Sequence, residues 1–141
     1  MRILIPVDGS DRSLAAVRYV IDTLAPADAE LEIHLLNVQP ALPSAAASFI
    51  DSGVVRDFHR DEGAKALASA RQLLENARVR CADSSTAVGE PAETITAYAE
   101  QRHCAGIMMA TRGLGRAAGL LLGSVAHKVL QLSKVPVTLI K

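Results

Sequence analysis

The sequence predicts an α/β domain built on a doubly wound, parallel five-stranded sheet of strand order 3-2-1-4-5, with helices on both faces in a Rossmann-like arrangement. Two observations lead to this fold class. Short apolar runs rich in β-branched residues alternate with longer segments whose apolar residues recur every three or four positions. The 141 residues, 50% of them hydrophobic, suffice for one core and are too few for two ordinary domains. We therefore expect a single domain over residues 1–141.

The first predicted unit is a strand, a turn and a helix. An apolar run over residues 3–7 predicts the strand, which ends at a turn over residues 8–10. Ser10 or Asp11 can cap the following helix, and Pro26 ends it. The side chains expected on its buried side are Leu14, Ala15, Val17, Val20, Ile21 and Leu24.

The second unit contains a strand, a loop and a long helix. Alternating apolar residues over 30–38 predict the strand. Residues 40–55 have no clear period and predict a loop that is mobile in the absence of a partner. Helical spacing predicts a helix over residues 57–77. Its expected inner face consists of Ala66, Leu67, Ala70, Leu73, Leu74 and Ala77.

The remaining elements follow from shorter patterns. A third strand within residues 79–88 is polar, which favours a position at the edge of the sheet. Pro91 starts a helix, because proline is favoured at the first helical position, and residues 105–110 predict a central strand that is apolar on both faces. A helix over 124–132 and a last strand over 135–140 complete the sheet. The inner face of the third helix is expected to hold Ile95, Tyr98 and Ala99.

Composition and charge exclude several classes of function. Fifteen basic and fifteen acidic residues cancel, so a nucleic-acid-binding protein is not expected. The apolar run at the N-terminus is too short for a signal peptide or a membrane span, so we expect a cytosolic protein with no membrane partner. Cys81 and Cys104 lack the spacing of a metal site or a disulfide and are expected to be reduced packing residues. Neither a metal site nor catalysis is predicted for His34 on a strand, His59 near a loop, or His103 and His127 on helices.

The stretch from Ala110 to Ser124 places four glycines and a hydroxyl between the fourth strand and its helix. Such loops can cradle an anion, because glycine bares the backbone and helix-start amides carry partial positive charge. The glycine spacing matches neither the dinucleotide fingerprint nor the P-loop, so a tight turn without a ligand stays open as the alternative. In a sheet of order 3-2-1-4-5, however, this stretch and the turn over residues 6–10 flank one crevice at the switch point, which favours a ligand site.

Four segments stand in a definite order along the chain. They are Ile-Leu-Ile-Pro-Val-Asp-Gly-Ser at residues 3–10, Gly89-Glu90-Pro91, Gly113 followed after nine residues by Gly123-Ser124, and Val135-Pro136-Val137. In this order and spacing they resemble the first strand and turn, the third-strand exit, the nucleotide loop and the last strand of the universal stress protein family. The resemblance covers nearly the whole chain. The ATP-binding branch of that family carries G-x-x-G-x9-G-[S/T], and here Ala110 replaces the first glycine.

The resemblance implies a site for ATP, ADP or AMP, together with Mg²⁺. The implied contacts are Asp8 and the backbone of Val38 at the adenine end, Pro6 and Met109 on the wall, and the amides of Gly113, Gly123, Ser124 and Val125 at the ribose and phosphates, with Arg112 or Arg116 adding charge. Two alternatives stay open from the residues themselves. Asp8 can instead cap a helix, and the arginines can be solvated loop charges.

We therefore predict a small cytosolic, adenine-nucleotide-binding stress-response protein that acts as a binding or signalling module, with at most slow ATP hydrolysis because no general base is evident. The alternative is a nucleotide-independent interaction protein of the same fold. Ala110 favours this alternative, because its methyl group weakens binding if the backbone there needs positive φ. The last strand is apolar and lies at a sheet edge, which invites pairing, and the resemblance implies a two-fold homodimer through residues 135–140. The sequence does not identify any further protein partner.

Overall fold

The computed structural model of this protein describes residues 1–43, 50–112 and 122–141. Within these ranges the strands are β1 (Arg2–Pro6), β2 (Glu32–Gln39), β3 (Cys81–Val88), β4 (Gly106–Ala110) and β5 (Val137–Ile140). The helices are α1 (Leu14–Tyr19), which continues as a π-helical segment (Val20–Leu24), α2 (Ser52–Asn76), α3 (Pro91–Gln101) and α4 (Ser124–Leu132). None of the described helices is long and apolar enough to cross a membrane.

The strands form one parallel sheet in the order β3-β2-β1-β4-β5. The predicted fold class and strand order are therefore confirmed. The polar strand β3 lies at one edge of the described sheet, as expected, and β5 lies at the other. The order of connection reverses between β1 and β4, so the carboxyl ends of these two strands border the switch point.

Each face of the sheet carries its own buried core. Ile3 and Ile5 of β1 pack on one face with apolar residues of α1 and α2. Leu4 points to the opposite face, because side chains alternate along a strand, and it packs there with Ile107 of β4 and with residues of α3 and α4. The two cores confirm the prediction of helices on both faces.

The start of α1 differs from the prediction of a cap at Ser10 or Asp11. The N-cap is Ser13, and no side chain caps it. The hydroxyl of Ser10 instead accepts a hydrogen bond from the Ser13 amide at 3.2 Å, within the preceding turn. On the helix itself Ala16 is buried and Ala15 is only half-buried, so Ala16 rather than Ala15 belongs to the inner face.

Helix α2 begins at Ser52, five residues before the predicted start. The carboxylate of Asp51 accepts a hydrogen bond from the Gly53 amide at 2.7 Å and thereby caps the helix. The prediction of a loop over residues 40–55 is therefore wrong at its C-terminal end. Residues 44–49 of that predicted loop lie outside the described residues.

Several single positions also correct the predictions. His59 is buried within α2 rather than near a loop, whereas His103 follows α3 with a φ of 51° rather than lying on the helix. Cys81 is exposed and is not a packing residue, in contrast to the buried Cys104. Ala77 is exposed at the end of α2. Strand β5 is two residues shorter than predicted, because proline at position 136 has no amide proton for a strand ladder.

Polar groups join β2, β3 and α3 in one hydrogen-bonded chain. The Tyr98 hydroxyl donates to the Asp83 carboxylate at 2.5 Å, so it accepts the hydrogen bond from His34 Nδ1, which lies 3.0 Å away. Burial lowers the pKa of His34. Burial alone would raise the pKa of Asp83, but hydrogen bonds from Tyr98 and Ser85 hold it below its usual value. Near neutral pH the folded protein therefore holds His34 neutral and Asp83 charged.

Acidification is expected to destabilise the fold from about pH 6.5 downward through His34. The pKa of His34 is lower in the folded chain than its ordinary value of 6.5, so the unfolded chain takes up the proton first as the pH falls. The substitution His34→Gln should flatten the decline in the free energy of unfolding between about pH 7 and about pH 5, as measured by urea denaturation. Equal slopes for the two proteins would show that His34 does not cause the decline.

Candidate functional site

A cavity of about 370 Å³ opens at the carboxyl ends of β1 and β4, where the strand order reverses. Cavities of this size accommodate small-molecule ligands. Nine of the ten predicted site residues line it, and the tenth, Gly113, lies outside the described residues. The nine are Pro6, Asp8, Val38, Met109, Ala110, Arg112, Gly123, Ser124 and Val125. The fold thus brings together the ends of β1, β2 and β4 with the start of α4.

A buried asparagine fixes the end of β1 at this cavity. The Val7 amide donates to the Leu36 carbonyl at 2.9 Å, which extends the pairing of β1 with β2 by one bond. The Asn37 side chain then donates to the Val7 carbonyl at 2.8 Å and accepts from Gln39 at 2.6 Å. Asn37 is only 2% exposed. Sequence reasoning missed this residue, although a lone amide inside an apolar strand is a signal that a backbone group nearby needs a partner.

Asp8 shapes the turn at the rim of the cavity. Its Oδ1 atom accepts hydrogen bonds from the Ser10 amide at 3.0 Å and from the Ser10 hydroxyl at 2.6 Å. Between them Gly9 has a φ of +85°, and a methyl group there would come within 3.2 Å of the Ala66 side chain, so glycine is required. Asp8 is therefore not a helix cap, because the N-cap of α1 is Ser13.

The start of α4 forms the opposite wall. The Gly123 amide donates to the Thr111 carbonyl at 2.7 Å, which ties α4 to the end of β4. This amide has a partner within the protein, so it would have to exchange the Thr111 carbonyl for a phosphate oxygen in order to bind one, and its contact with phosphate stays a prediction. Gly123 is the N-cap and supplies no side-chain cap, so the amides of Ser124 and Val125 have no acceptor within the helix. The positive end of the helix dipole lies at this wall.

Ala110 is the last residue of β4 and lines the cavity. Among the described residues only Arg78 and His103 have positive φ without being glycine, so the backbone of Ala110 is unstrained. The replacement of the motif glycine therefore carries no conformational cost. Its only effect is one methyl group at the cavity wall.

The cavity lining combines many apolar side chains with a few polar groups. Residues that the sequence did not assign to the site contribute much of the apolar surface, namely Val7, Leu36, Pro91, Ile95, Leu122 and Ala126. Pro91 and Ile95 could be predicted only as the start and inner face of α3, because nothing local marks them as facing a ligand. The polar groups in the lining include Asp8, Arg112 and the start of α4. This combination suits a flat apolar ring joined to an anionic group.

The described lining offers little for catalysis. It holds one carboxylate, Asp8, and one guanidinium, Arg112, without a histidine, cysteine or lysine. Among the described lining residues Ser124 therefore has no histidine or lysine beside it to activate it as a nucleophile. Over the described ranges no three His, Cys, Asp or Glu side chains are grouped to hold a metal ion. A divalent cation in this cavity would depend on oxygen ligands of the bound molecule itself.

Comparison with known proteins gives one consistent family. The sequence model described as the universal stress protein family matches residues 1–141. The universal stress protein MJ0531 of Methanocaldococcus jannaschii is 31% identical over 99% of this chain and 81% of its own length. The universal stress protein YxiE of Bacillus subtilis is 30% identical over 99% of this chain and 98% of its own length.

Solved structures show the same fold. The hypothetical protein MJ0577 aligns with a TM-score of 0.81 and 27% identity over 99% of this chain and 94% of its own. The universal stress protein of Archaeoglobus fulgidus in complex with dAMP aligns with a TM-score of 0.72 and 19% identity over 100% of this chain and 98% of its own. A family protein of Arabidopsis thaliana with AMP bound aligns with a TM-score of 0.71 and 18% identity over 100% of this chain and 91% of its own. At these low identities the last two show the fold alone.

Proposed function

The chain belongs to the universal stress protein family, and from that premise we propose that the cavity between β1 and β4 binds an adenine nucleotide. One observation carries the proposal: a largely apolar cavity is lined by a helix start whose first amides have no acceptor within the helix. The same cavity therefore offers a surface for a base and a positive potential for phosphate. The structural neighbours that hold AMP and dAMP support adenine as the base.

The proposed nucleotide lies with its base against the apolar wall. Val38 and Met109 contact the ring, and the carboxylate of Asp8 accepts from a ribose hydroxyl or the exocyclic amine. The amides of Ser124 and Val125 donate to phosphate oxygens, and Arg112 adds a positive charge. Mg²⁺ would be held through the phosphates of ATP or ADP, where it neutralises their charge.

We expect this protein to act in the cytosol as a binding module whose partner contacts depend on the nucleotide. The described cavity lining has no histidine or lysine that could serve as a general base near a γ-phosphate. ATP hydrolysis should therefore be slower than about 1 per second, which is at the low end for enzymes. A faster turnover in freshly purified protein would contradict a binding role.

Amide shift mapping tests the location of the proposed site. AMP added to ¹⁵N-labelled protein is expected to shift the amides of residues 7–10, 110–112 and 122–126, because these segments line or border the cavity. The amides of β3 and of the C-terminal half of α2 should not move. Shifts confined to those distant segments, or none at millimolar AMP, would refute nucleotide binding in this cavity.

The substitution Ala110→Gly distinguishes nucleotide binding from the nucleotide-independent alternative. Because the backbone of Ala110 is unstrained, removal of its methyl group should change AMP affinity by less than about threefold. Glycine inside a strand should lower the free energy of unfolding by about 0.5–1 kcal/mol. Calorimetry and thermal denaturation measure the two effects. A gain in AMP affinity of tenfold or more would mean that the methyl group of Ala110 strongly weakens binding at this site.

We further propose a two-fold homodimer through β5. This strand lies at an edge of the described sheet, and all four of its residues are only half-buried. An exposed apolar edge strand pairs readily with a second copy of itself. The substitution Leu139→Pro would remove an amide donor from this strand and is expected to shift a dimer towards monomer in analytical ultracentrifugation. A wild-type monomer at micromolar concentration would contradict the proposed dimer.

A further inference from the structure

A groove separate from the nucleotide cavity lies between α2 and β3, and the two share no described residue. Its volume is about 380 Å³. Three arginines line it, and within the described part of the chain no aspartate or glutamate does. The whole chain has a net charge of zero. The lining of the groove therefore carries positively charged side chains alone, which the composition does not reveal.

The arginines lie on one face of α2. Arg56, Arg60 and Arg71 are spaced so that they share a helix face with Leu67, which packs towards the sheet. At Gly63 the helix touches β3, because a methyl group there would overlap the side chain of Thr86. This close approach places the arginine face directly beside the edge strand.

Two buried polar atoms in the groove lack partners among the described residues. His59 is 5% exposed, and its Nδ1 atom has no hydrogen-bond partner within the described ranges. The hydroxyl of Ser84 on β3 is also buried without a partner in that part of the chain. Buried polar atoms are rarely left unpaired, because a buried donor or acceptor without a partner has lost its hydrogen bonds to water and gained none in the protein. Both groups can donate to an acceptor oxygen, the imidazole in its Nδ1–H tautomer.

The positive groups are spread along the groove. An Arg71 nitrogen lies 3.4 Å from the Ala64 carbonyl, so this guanidinium lies back over the middle of α2. Arg60 forms ion pairs with Asp57 and Asp61, whereas Arg56 has no acidic partner among the described residues. The eight residue steps from Arg56 to Ala64 correspond to about 12 Å of helix. One phosphate group is too small to contact both ends.

We propose that this groove binds a linear anion that carries several phosphate groups along its length, such as an oligophosphate chain. The guanidinium groups of Arg56 and Arg71 pair with phosphates towards its two ends. Ser84 and His59 donate to phosphate oxygens from within the groove. An acceptor that spans the groove supplies the partners that these two side chains lack.

Inorganic tripolyphosphate and orthophosphate are the probes, added to ¹⁵N-labelled full-length protein at constant ionic strength. Tripolyphosphate is expected to shift the amides of residues 56–64 and 84–88 to saturation. Its affinity should exceed that of orthophosphate by at least about tenfold, because it reaches more than one arginine. The double substitution Arg56→Gln with Arg71→Gln should lower the tripolyphosphate affinity by at least about tenfold.

Three variants distinguish specific tripolyphosphate binding in this groove from nonspecific binding to surface charge and from binding in the nucleotide cavity. Ser84→Ala leaves the charge unchanged and breaks no hydrogen bond, so it should keep or raise the melting temperature and still weaken tripolyphosphate about threefold or more. Arg18→Gln, on the exposed face of α1, should leave the affinity unchanged. Gly123→Val should not affect it either, because the groove is separate from the nucleotide cavity. Shifts confined to Ser124 and Val125, unsaturated shifts, or equal losses in Arg18→Gln and the double variant would overturn the proposal.

Discussion

The substitution Gly123→Val is expected to weaken the binding of AMP by at least about 30-fold, which corresponds to about 2 kcal/mol. Gly123 is the N-cap of α4, and a methyl group at this position would lie 3.4 Å from the Thr111 carbonyl and 3.5 Å from Arg112 Cα. An alanine side chain fits in ordinary contact. The two further methyl groups of valine must displace Arg112 or enter the cavity in front of the Ser124 and Val125 amides. Calorimetric titration measures the loss.

Gly123→Ala is the matched control for this effect. Gly123 has a φ of −73° and a ψ of 155°, an extended conformation that alanine and valine both adopt. Neither variant should therefore unfold the domain. Gly123→Ala should retain AMP affinity within about threefold. Thermal denaturation checks that both variants are folded. Full AMP affinity in a folded Gly123→Val protein would show that the start of α4 does not contact the nucleotide.

The substitution Ile107→Ala is expected to lower the free energy of unfolding by about 2–5 kcal/mol. Ile107 is fully buried as the second residue of β4, where it pairs with Leu4 of β1 and Val137 of β5. Its loss leaves a void at the junction of three strands and loosens the element that presents Met109 and Ala110 to the cavity. Urea denaturation followed by circular dichroism measures the change.

Val54→Ala provides the comparison for this core substitution. Val54 lies on α2 and is 59% exposed, so its truncation should alter stability by less than about 0.5 kcal/mol. A small loss for Ile107→Ala, close to that for Val54→Ala, would contradict the assignment of Ile107 to the core of the sheet.

The fold was predictable because its signals are local and repeated. Strand and helix periods alternate along the chain, and the right-handed crossover rule then leaves few arrangements of five parallel strands. The polarity of β3 is likewise a sequence property that indicates an edge. The starts of α1 and α2 were less predictable, because Ser10, Ser13 and Asp51 are all competent turn or cap residues, and tertiary packing decides which of them is used.

The candidate site was predictable where it depends on strand ends. Pro6, Met109 and Ala110 are the last residues, or close to the last, of two strands that topology places side by side. The partner of the Gly123 amide was not predictable, because Thr111 precedes Gly123 by twelve positions in the sequence and no local pattern pairs them. The role of the buried Asn37 was not predictable either, because it depends on the position of the Val7 carbonyl in the folded chain. Such contacts depend on distances across the sheet that no local pattern carries.

The groove between α2 and β3 illustrates the same limit. The spacing of Arg56, Arg60 and Arg71 is visible in the sequence but is equally typical of a solvated helix face. Only the structure shows that the His59 Nδ1 atom and the Ser84 hydroxyl are buried beside these arginines without partners among the described residues. Unpaired polar atoms are a property of packing, and their detection requires coordinates.

The central claim is that the cavity at the switch point binds an adenine nucleotide. Calorimetric titration of nucleotide-free protein with ATP and Mg²⁺ tests it most directly, with adenine nucleotide assayed in freshly purified, denatured protein to establish what was already bound. We predict saturable one-site binding with micromolar affinity, lost in Gly123→Val and retained in Gly123→Ala. No binding at millimolar ATP, in protein that also carries no nucleotide from purification, would contradict the claim and favour a nucleotide-independent interaction protein.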